Sequence, residues 1–332
     1  MENLRGRLDP QSAALLGRLD DIRSDWAERI EAGGMAGSRA YAEEVFATFR
    51  GAERDLAPHA VEEITVPTRH GECAARYYRA AAPDRSPAAG CTLFLHGGGW
   101  SLGSLDAYDG LVGSLAAMSG IDFLSLDYRL APEAPFPIAI EQAEDALSWL
   151  AEHAKELRFA PGKLAVMGDS AGGNLAAVLA RRSALSGRCD LACQVLLYPM
   201  TDVVSPAERF ASRANYGGGE LFLEEAAIQG AAMAYTGGDA ALRSDHDISP
   251  LAAPVPDGIA QALVLTAEFD PLRDEAVEYH RTLRQAGVQS THLEGEKTVH
   301  AFLSFGELDV AQKNREEISA YLRKIFATGS PA

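Results

Sequence analysis

Ser170 stands in Gly168-Asp169-Ser170-Ala171-Gly172, a G-x-S-x-G pattern whose chemistry would be nucleophilic attack on a carbonyl. The run before it, Leu164-Ala-Val-Met167, reads as a short buried strand. The stretch after it, through Leu175, Val178 and Leu179, reads as a helix opening at Ser170 or Ala171. A serine at a sharp strand-to-helix turn has a strained backbone, and flanking glycines let strand and helix approach closely. Such a turn lifts the hydroxyl clear of a sheet, and the helix N-terminus offers N–H groups and a favourable dipole to a developing anion. A glycine-rich helix start with a capping serine would use the same letters.

A second cluster, His96-Gly97-Gly98-Gly99-Trp100, follows another apolar run, Cys91-Thr-Leu-Phe-Leu95. Consecutive glycines expose backbone N–H groups with no Cβ to block a ligand. Together with the N–H of Ala171 they suit the negative oxygen of a tetrahedral intermediate. A flexible turn or a phosphate cradle are the other readings, and the second is weakened because neither G-x-x-x-x-G-K-[S/T] nor G-x-G-x-x-G occurs. His96 is read as a hydrogen-bonding residue that shapes this loop.

A serine nucleophile needs a proton acceptor, and that acceptor needs an orienting carboxylate. Where the serine occupies a strand-to-helix turn of this kind, the chain order is serine, acid, histidine. Four histidines follow Ser170. His280 falls in the middle of a helical pattern, His292 in an extended run and His246 in a polar turn. His300, in a loop before the last helical pattern, is the expected base. Asp270, in Glu268-Phe-Asp-Pro-Leu-Arg-Asp274, directly follows the strand Ala262–Thr266 and is the expected acid. Glu268 and Asp274 compete with it, and Asp202 after the strand Gln194–Tyr198 is a further position where such an acid can sit.

The elements that must hold these residues alternate. Cys91–Leu95, Asp122–Leu126, Leu164–Met167, Gln194–Tyr198 and Ala262–Thr266 read as buried strands. Between and after them lie helical patterns at Ile140–Leu157, Ser170–Leu179, Glu275–Ala286 and Asp309–Phe326. The alternation predicts an α/β fold, a mostly parallel central sheet flanked by helices on both faces. Residues 1–55 look helical and charged, and 203–245 look like helix and loop. Both are expected to pack together as a helical cap, the second inserted into a catalytic domain spanning 56–332. Trp26, Phe46, Phe49, Tyr216 and Phe222 fall in or beside these segments, as pocket walls or as packing residues.

The chain has 332 residues, enough for a substantial core, and an apolar fraction of 47% that excludes disorder as its main state. With 47 acidic against 30 basic residues the net charge is -17, which disfavours nucleic acid and anionic membrane surfaces as partners. The 20-residue uncharged run Ser86–Leu105 is broken by glycines and does not read as a membrane span. Charges throughout Met1–Trp26 leave no room for a secretory signal. Cys73, Cys91, Cys189 and Cys193 form no C-x-x-C pair and read as buried thiols, which with the missing signal points to the cytoplasm.

His96-Gly-Gly-Gly-Trp100, Asp127-Tyr-Arg-Leu-Ala-Pro-Glu133, Gly168-Asp-Ser-Ala-Gly-Gly-Asn174, Asp270-Pro-Leu-Arg-Asp274 and His300-Ala-Phe302 occur in one order. In that order they resemble the hormone-sensitive-lipase-like (family IV) carboxylesterases of the α/β-hydrolase fold. The resemblance runs from about residue 60 to the end. It implies a Ser170–His300–Asp270 triad, with Gly98, Gly99 and Ala171 donating to the oxyanion. It further implies no metal or organic cofactor, a small-molecule ester of short to medium acyl length as substrate, and a homodimer as in many relatives. The same machinery would serve an amide, a thioester or an acetylated small molecule, and a ligand-binding module on this fold is the reading from another class.

Overall fold

The computed structural model describes residues 4–51, 54–80 and 88–327. Eight strands form one sheet in the order β1-β2-β4-β3-β5-β6-β7-β8. They are β1 (Ala60–Thr68), β2 (Gly71–Arg79), β3 (Cys91–Leu95), β4 (Asp122–Leu126), β5 (Leu164–Asp169), β6 (Leu191–Leu197), β7 (Ala262–Phe269) and β8 (Ser290–Val299). The β1–β2 and β2–β4 pairs are antiparallel, and every pair along the order from β4 to β8 is parallel.

The central strands β3, β4 and β5 are buried at every position because both faces of the sheet are covered. Leu93 and Leu95 of β3 point to one layer and Phe94 to the other, and Leu164 and Val166 of β5 alternate with Ala165 and Met167 in the same way. The first layer is built by α3 (Ile138–Leu157), α4 (Ala171–Ser186) and α7 (Arg273–Gln285). The second is built by α1 (Pro10–Phe49), α2 (Leu105–Ser119) and α8 (Asp309–Ala327). Two short helices, α5 (Ala211–Tyr216) and α6 (Glu225–Tyr235), lie between β6 and β7 in sequence.

α1 starts at Pro10 behind an Asp9 cap that accepts the Gln11 and Ser12 N–H groups. It does not run straight. Gly34 takes φ 53° and ψ −131°, outside the helical region. Trp26 and Tyr41 consequently meet with ring centroids 6.3 Å apart, although a straight helix would part them by about 22 Å. At Gly37 a Cβ would sit 2.6 Å from the Arg29 carbonyl, so glycine permits the two limbs to fold together. No helix of the described residues is long and apolar enough to cross a membrane. All four cysteines are free, with Cys73, Cys91 and Cys193 buried and Cys189 half-buried.

Candidate active site

Strand register brings distant residues to one place. Leu95 pairs with Gly168, so the loop after β3 and the turn after β5 leave adjacent strands at the same level. Phe269 pairs with Val299, so Asp270 and His300 leave β7 and β8 side by side. All of these are carboxyl ends of parallel strands, where open α/β sheets bind ligands.

Ser170 has φ 53° and ψ −118°, a region L-residues avoid, and its side chain makes no capping bond to α4. Its backbone is fixed instead: its N–H donates to the Leu197 carbonyl at 2.9 Å, and its carbonyl accepts from Met200 and Asn174 at 3.1 and 3.0 Å. Gly172 is glycine because a Cβ there would lie 2.5 Å from the His96 carbonyl. The hydroxyl is thereby presented to His300, whose Nε2 lies 2.9 Å from Ser170 Oγ. His300 Nδ1 lies 2.7 Å from Asp270 Oδ2, while Asp270 Oδ1 accepts the Leu272 N–H at 2.8 Å. Asp270 is fully buried, His300 is 4% exposed and Ser170 7%. The Tyr198 ring meets the imidazole edge-on at 5.0 Å.

The competitors stand elsewhere. Glu268 accepts the Lys297 N–H and Asp274 the Ser212 N–H. Asp202 holds the Val204 and Ser205 N–H groups and pairs with Arg209. His292 bonds to Thr266, His280 to Ser290, and His246 lies in a turn. Of the four later histidines the structure brings only His300 to the serine.

Gly98 and Gly99 line the cavity above Ser170, with φ of 104° and 60°, and Ala171 is the first residue of α4. His96 is buried and stacked on Tyr128 at 4.3 Å, and its Nδ1 lies 2.8 Å from the Gly97 carbonyl. Burial pulls its pKa down to about 4, so the ring is neutral and serves the loop's shape.

The sequence reading did not single out Asp169. Its carboxylate accepts the Gly97 N–H at 2.6 Å and the Tyr108 hydroxyl at 3.0 Å, tying the glycine loop to the serine turn. Burial raises its pKa to about 7, against the lowering effect of the Tyr108 bond. Its place beside Ser170 was the available signal. Also unforeseen is the buried pair Arg213–Glu275 at 2.5 Å, in which Glu275 accepts the Thr201 and Asp202 N–H groups and braces the loop carrying Met200.

The cavity has a volume of about 410 Å³, within the range of small-molecule sites. One wall comes from the second limb of α1, with Met35, Tyr41, Val45 and Phe46, and the other from 222–234, with Phe222, Leu223, Ala227, Gly230 and Ala231. Of the aromatics named from sequence, Phe46 and Phe222 line this space. Phe49 is buried against Phe305, Tyr216 packs on Phe269, and Trp26 lies behind Tyr41. Among the described residues no group of three or more His, Cys, Asp or Glu is arranged to hold a metal ion.

Residues 92–304 match the model of a family described as alpha/beta hydrolase fold. The chain is 38% identical to an ethyl acetate hydrolase of Pseudomonas putida over 255 residues, 76% of this chain and 78% of that protein. It is 40% identical to the carboxylic ester hydrolase LipN of Mycobacterium tuberculosis over 253 residues, 75% of this chain and 65% of that protein. A hyperthermophilic esterase structure from Pyrobaculum calidifontis superposes with a TM-score of 0.85 at 32% identity, covering 97% of this chain and 99% of that one. By the match over residues 92–304 and these relatives, the chain belongs to the alpha/beta hydrolase fold family, in its hormone-sensitive-lipase-like branch.

Proposed function

We propose that the protein is a serine carboxylesterase that hydrolyses short- to medium-chain acyl esters through an acyl-enzyme on Ser170. The observation that carries this reading is the buried relay Asp270–His300–Ser170, at 2.7 and 2.9 Å, opening into a mainly apolar cavity. The relatives named as ester hydrolases support the bond type.

Ser170 Oγ attacks the ester carbonyl carbon as His300 Nε2 takes its proton. Asp270 holds Nδ1–H, fixes the tautomer and stabilises the imidazolium that forms. The carbonyl oxygen becomes an oxyanion held by the N–H groups of Gly98, Gly99 and Ala171. His300 then returns the proton to the leaving alcohol, which departs and leaves the acyl group on Ser170. A water, deprotonated by His300, repeats the attack and releases the acid. The chemistry uses only groups of the chain and water, with no cofactor.

Residues 1–55 and 203–245 act as a two-part cap on the catalytic unit 56–332, a reading supported by residues within 35–46 and 222–234 that line the cavity over Ser170. Their apolar side chains suit an acyl chain better than a charged substrate, and the net charge of -17 suits a neutral ester. The free thiols fit a reducing compartment, the cytoplasm. Turnover of p-nitrophenyl butyrate tests the reading. Ser170→Ala and His300→Ala should each lower kcat by about 10⁴–10⁶, and Asp270→Asn by roughly 10⁴. Near-normal turnover by Ser170→Ala contradicts it.

A further inference from the structure

Arg39, on the second limb of α1, reaches out of the cap into the catalytic unit. Its Nε donates to the Ser101 carbonyl at 2.9 Å and its Nη2 to the Ala131 carbonyl at 3.1 Å. Nη1 and Nη2 also bond both carboxylate oxygens of Glu133, at 3.0 and 2.6 Å. Ser101 and Ala131 belong to two different loops, joined by the Ala131 N–H donating to the Trp100 carbonyl at 2.8 Å.

The peptide geometry beyond these contacts matters for the chemistry. In a trans peptide the C=O and the following N–H point in opposite directions. The Ser101 carbonyl held by Arg39 shares its plane with the Leu102 N–H, which donates to the Gly98 carbonyl at 2.9 Å. The Trp100 carbonyl held by Ala131 shares its plane with the Ser101 N–H, which donates to that same Gly98 carbonyl at 3.1 Å. The Gly98 carbonyl in turn shares its plane with the Gly99 N–H. With that carbonyl drawn into the turn by two donors, the Gly99 N–H is directed the other way, and both glycines line the cavity.

We propose that Arg39 is a positioning residue for the ester hydrolysis: through two peptide planes it fixes and polarises the Gly99 N–H that receives the oxyanion. The inference rests on the function proposed above. A cation at the head of a hydrogen-bonded peptide chain strengthens each donor along it, and the effect appears where charge develops at the far end. The guanidinium fork reaches two carbonyls and a carboxylate at once, which an ammonium does not. Because Arg39 lies between Ser38 and Tyr41, which line the cavity, the cap wall and the oxyanion donors are held in one register.

The test is steady-state hydrolysis of p-nitrophenyl butyrate together with inhibition by butylboronic acid, whose tetrahedral adduct on serine places a negative oxygen where the oxyanion forms. Removing an oxyanion donor outright costs about 10²–10³ in kcat, so Arg39→Ala, which only releases one, should lower kcat roughly 10–100-fold with KM changed by less than about threefold. The inhibition constant of the boronic acid should rise by the factor that kcat/KM falls. Arg39→Lys should lie between parent and Arg39→Ala, and it carries the same test if Arg39→Ala does not fold. Glu133→Gln, which leaves both carbonyl contacts in place, should keep kcat within about threefold.

The inference is overturned if Arg39→Ala and Arg39→Lys turn over at the parent rate. It is equally overturned if their kcat falls with no matching loss of boronate affinity, or if Glu133→Gln loses as much as Arg39→Ala. Failure of the parent protein to hydrolyse the ester would instead defeat the proposed function itself.

Discussion

The Asp169 carboxylate and the Gly97 amide meet at 2.6 Å across the gap between the glycine loop and the serine turn. Each explains the other. A Cβ on Gly97 would stand 2.5 Å from Asp169 Oδ2, and the carboxylate fills the space glycine leaves. Asp169→Ala removes the acceptor of the Gly97 N–H and of the Tyr108 hydroxyl, freeing the loop that carries Gly98 and Gly99. We expect a loss of kcat of about 10–100-fold on p-nitrophenyl butyrate, smaller for Asp169→Asn, which keeps an acceptor for Gly97. An unchanged kcat in Asp169→Ala would show that the loop holds itself.

His96 gives the fold an acid sensitivity. Its pKa is drawn from 6.5 to about 4 by burial, and its Nε2 is buried without a partner. Between those pH values the unfolded chain binds a proton that the folded chain refuses, so this group's contribution to stability is lost as pH falls through that window. The loss is of order 3 kcal/mol between pH 7 and pH 4. Urea unfolding at pH 7 and pH 4.5 should show a smaller difference for His96→Asn than for the parent, and an equal difference would place the acid lability elsewhere.

Gly230 lies on the face of α6 that also carries Ala227, Ala231 and Ala234, all lining the cavity. An added Cβ there meets nothing within 4 Å, so a larger side chain has room to grow into substrate space. Gly230→Leu should lower the ratio of kcat/KM for p-nitrophenyl octanoate over acetate by about tenfold or more, since occupied volume is denied to the longer chain. Gly230→Ala should raise helix stability by about 0.5–1 kcal/mol, read as a higher Tm. An unchanged octanoate to acetate ratio in Gly230→Leu would remove this wall from chain-length control.

The central strands were legible because each is short, rich in aliphatic residues and bounded by Gly, Pro or Asp, and five of them appear within a few residues of their expected limits. β1 was not legible: Glu62 and Glu63 stand side by side in it and Pro67 lies near its end, so no clean alternation announces a strand at the sheet's edge. α2 was missed as well, its glycines and serines blurring the helical stripe. Ser170, Asp270 and His300 could be picked out because each follows a strand in a fixed order, and the structure brings those three together. The bend at Gly34 was hidden, since a glycine inside a helical pattern need not break it. Arg39 was hidden for a different reason. Its partners lie 62 and 92 residues away, and no local pattern records contacts at that range.

The proposed chemistry makes Ser170 the nucleophile and His300 its activator. Treatment with a fluorophosphonate followed by peptide mass spectrometry tests this directly, because the reagent modifies only a serine made nucleophilic by its neighbours. One adduct per chain is expected on the peptide containing Ser170, none in Ser170→Ala, and labelling slowed by about 10³-fold or more in His300→Ala. An adduct on another serine, or equal labelling rates in the parent and His300→Ala, would contradict it.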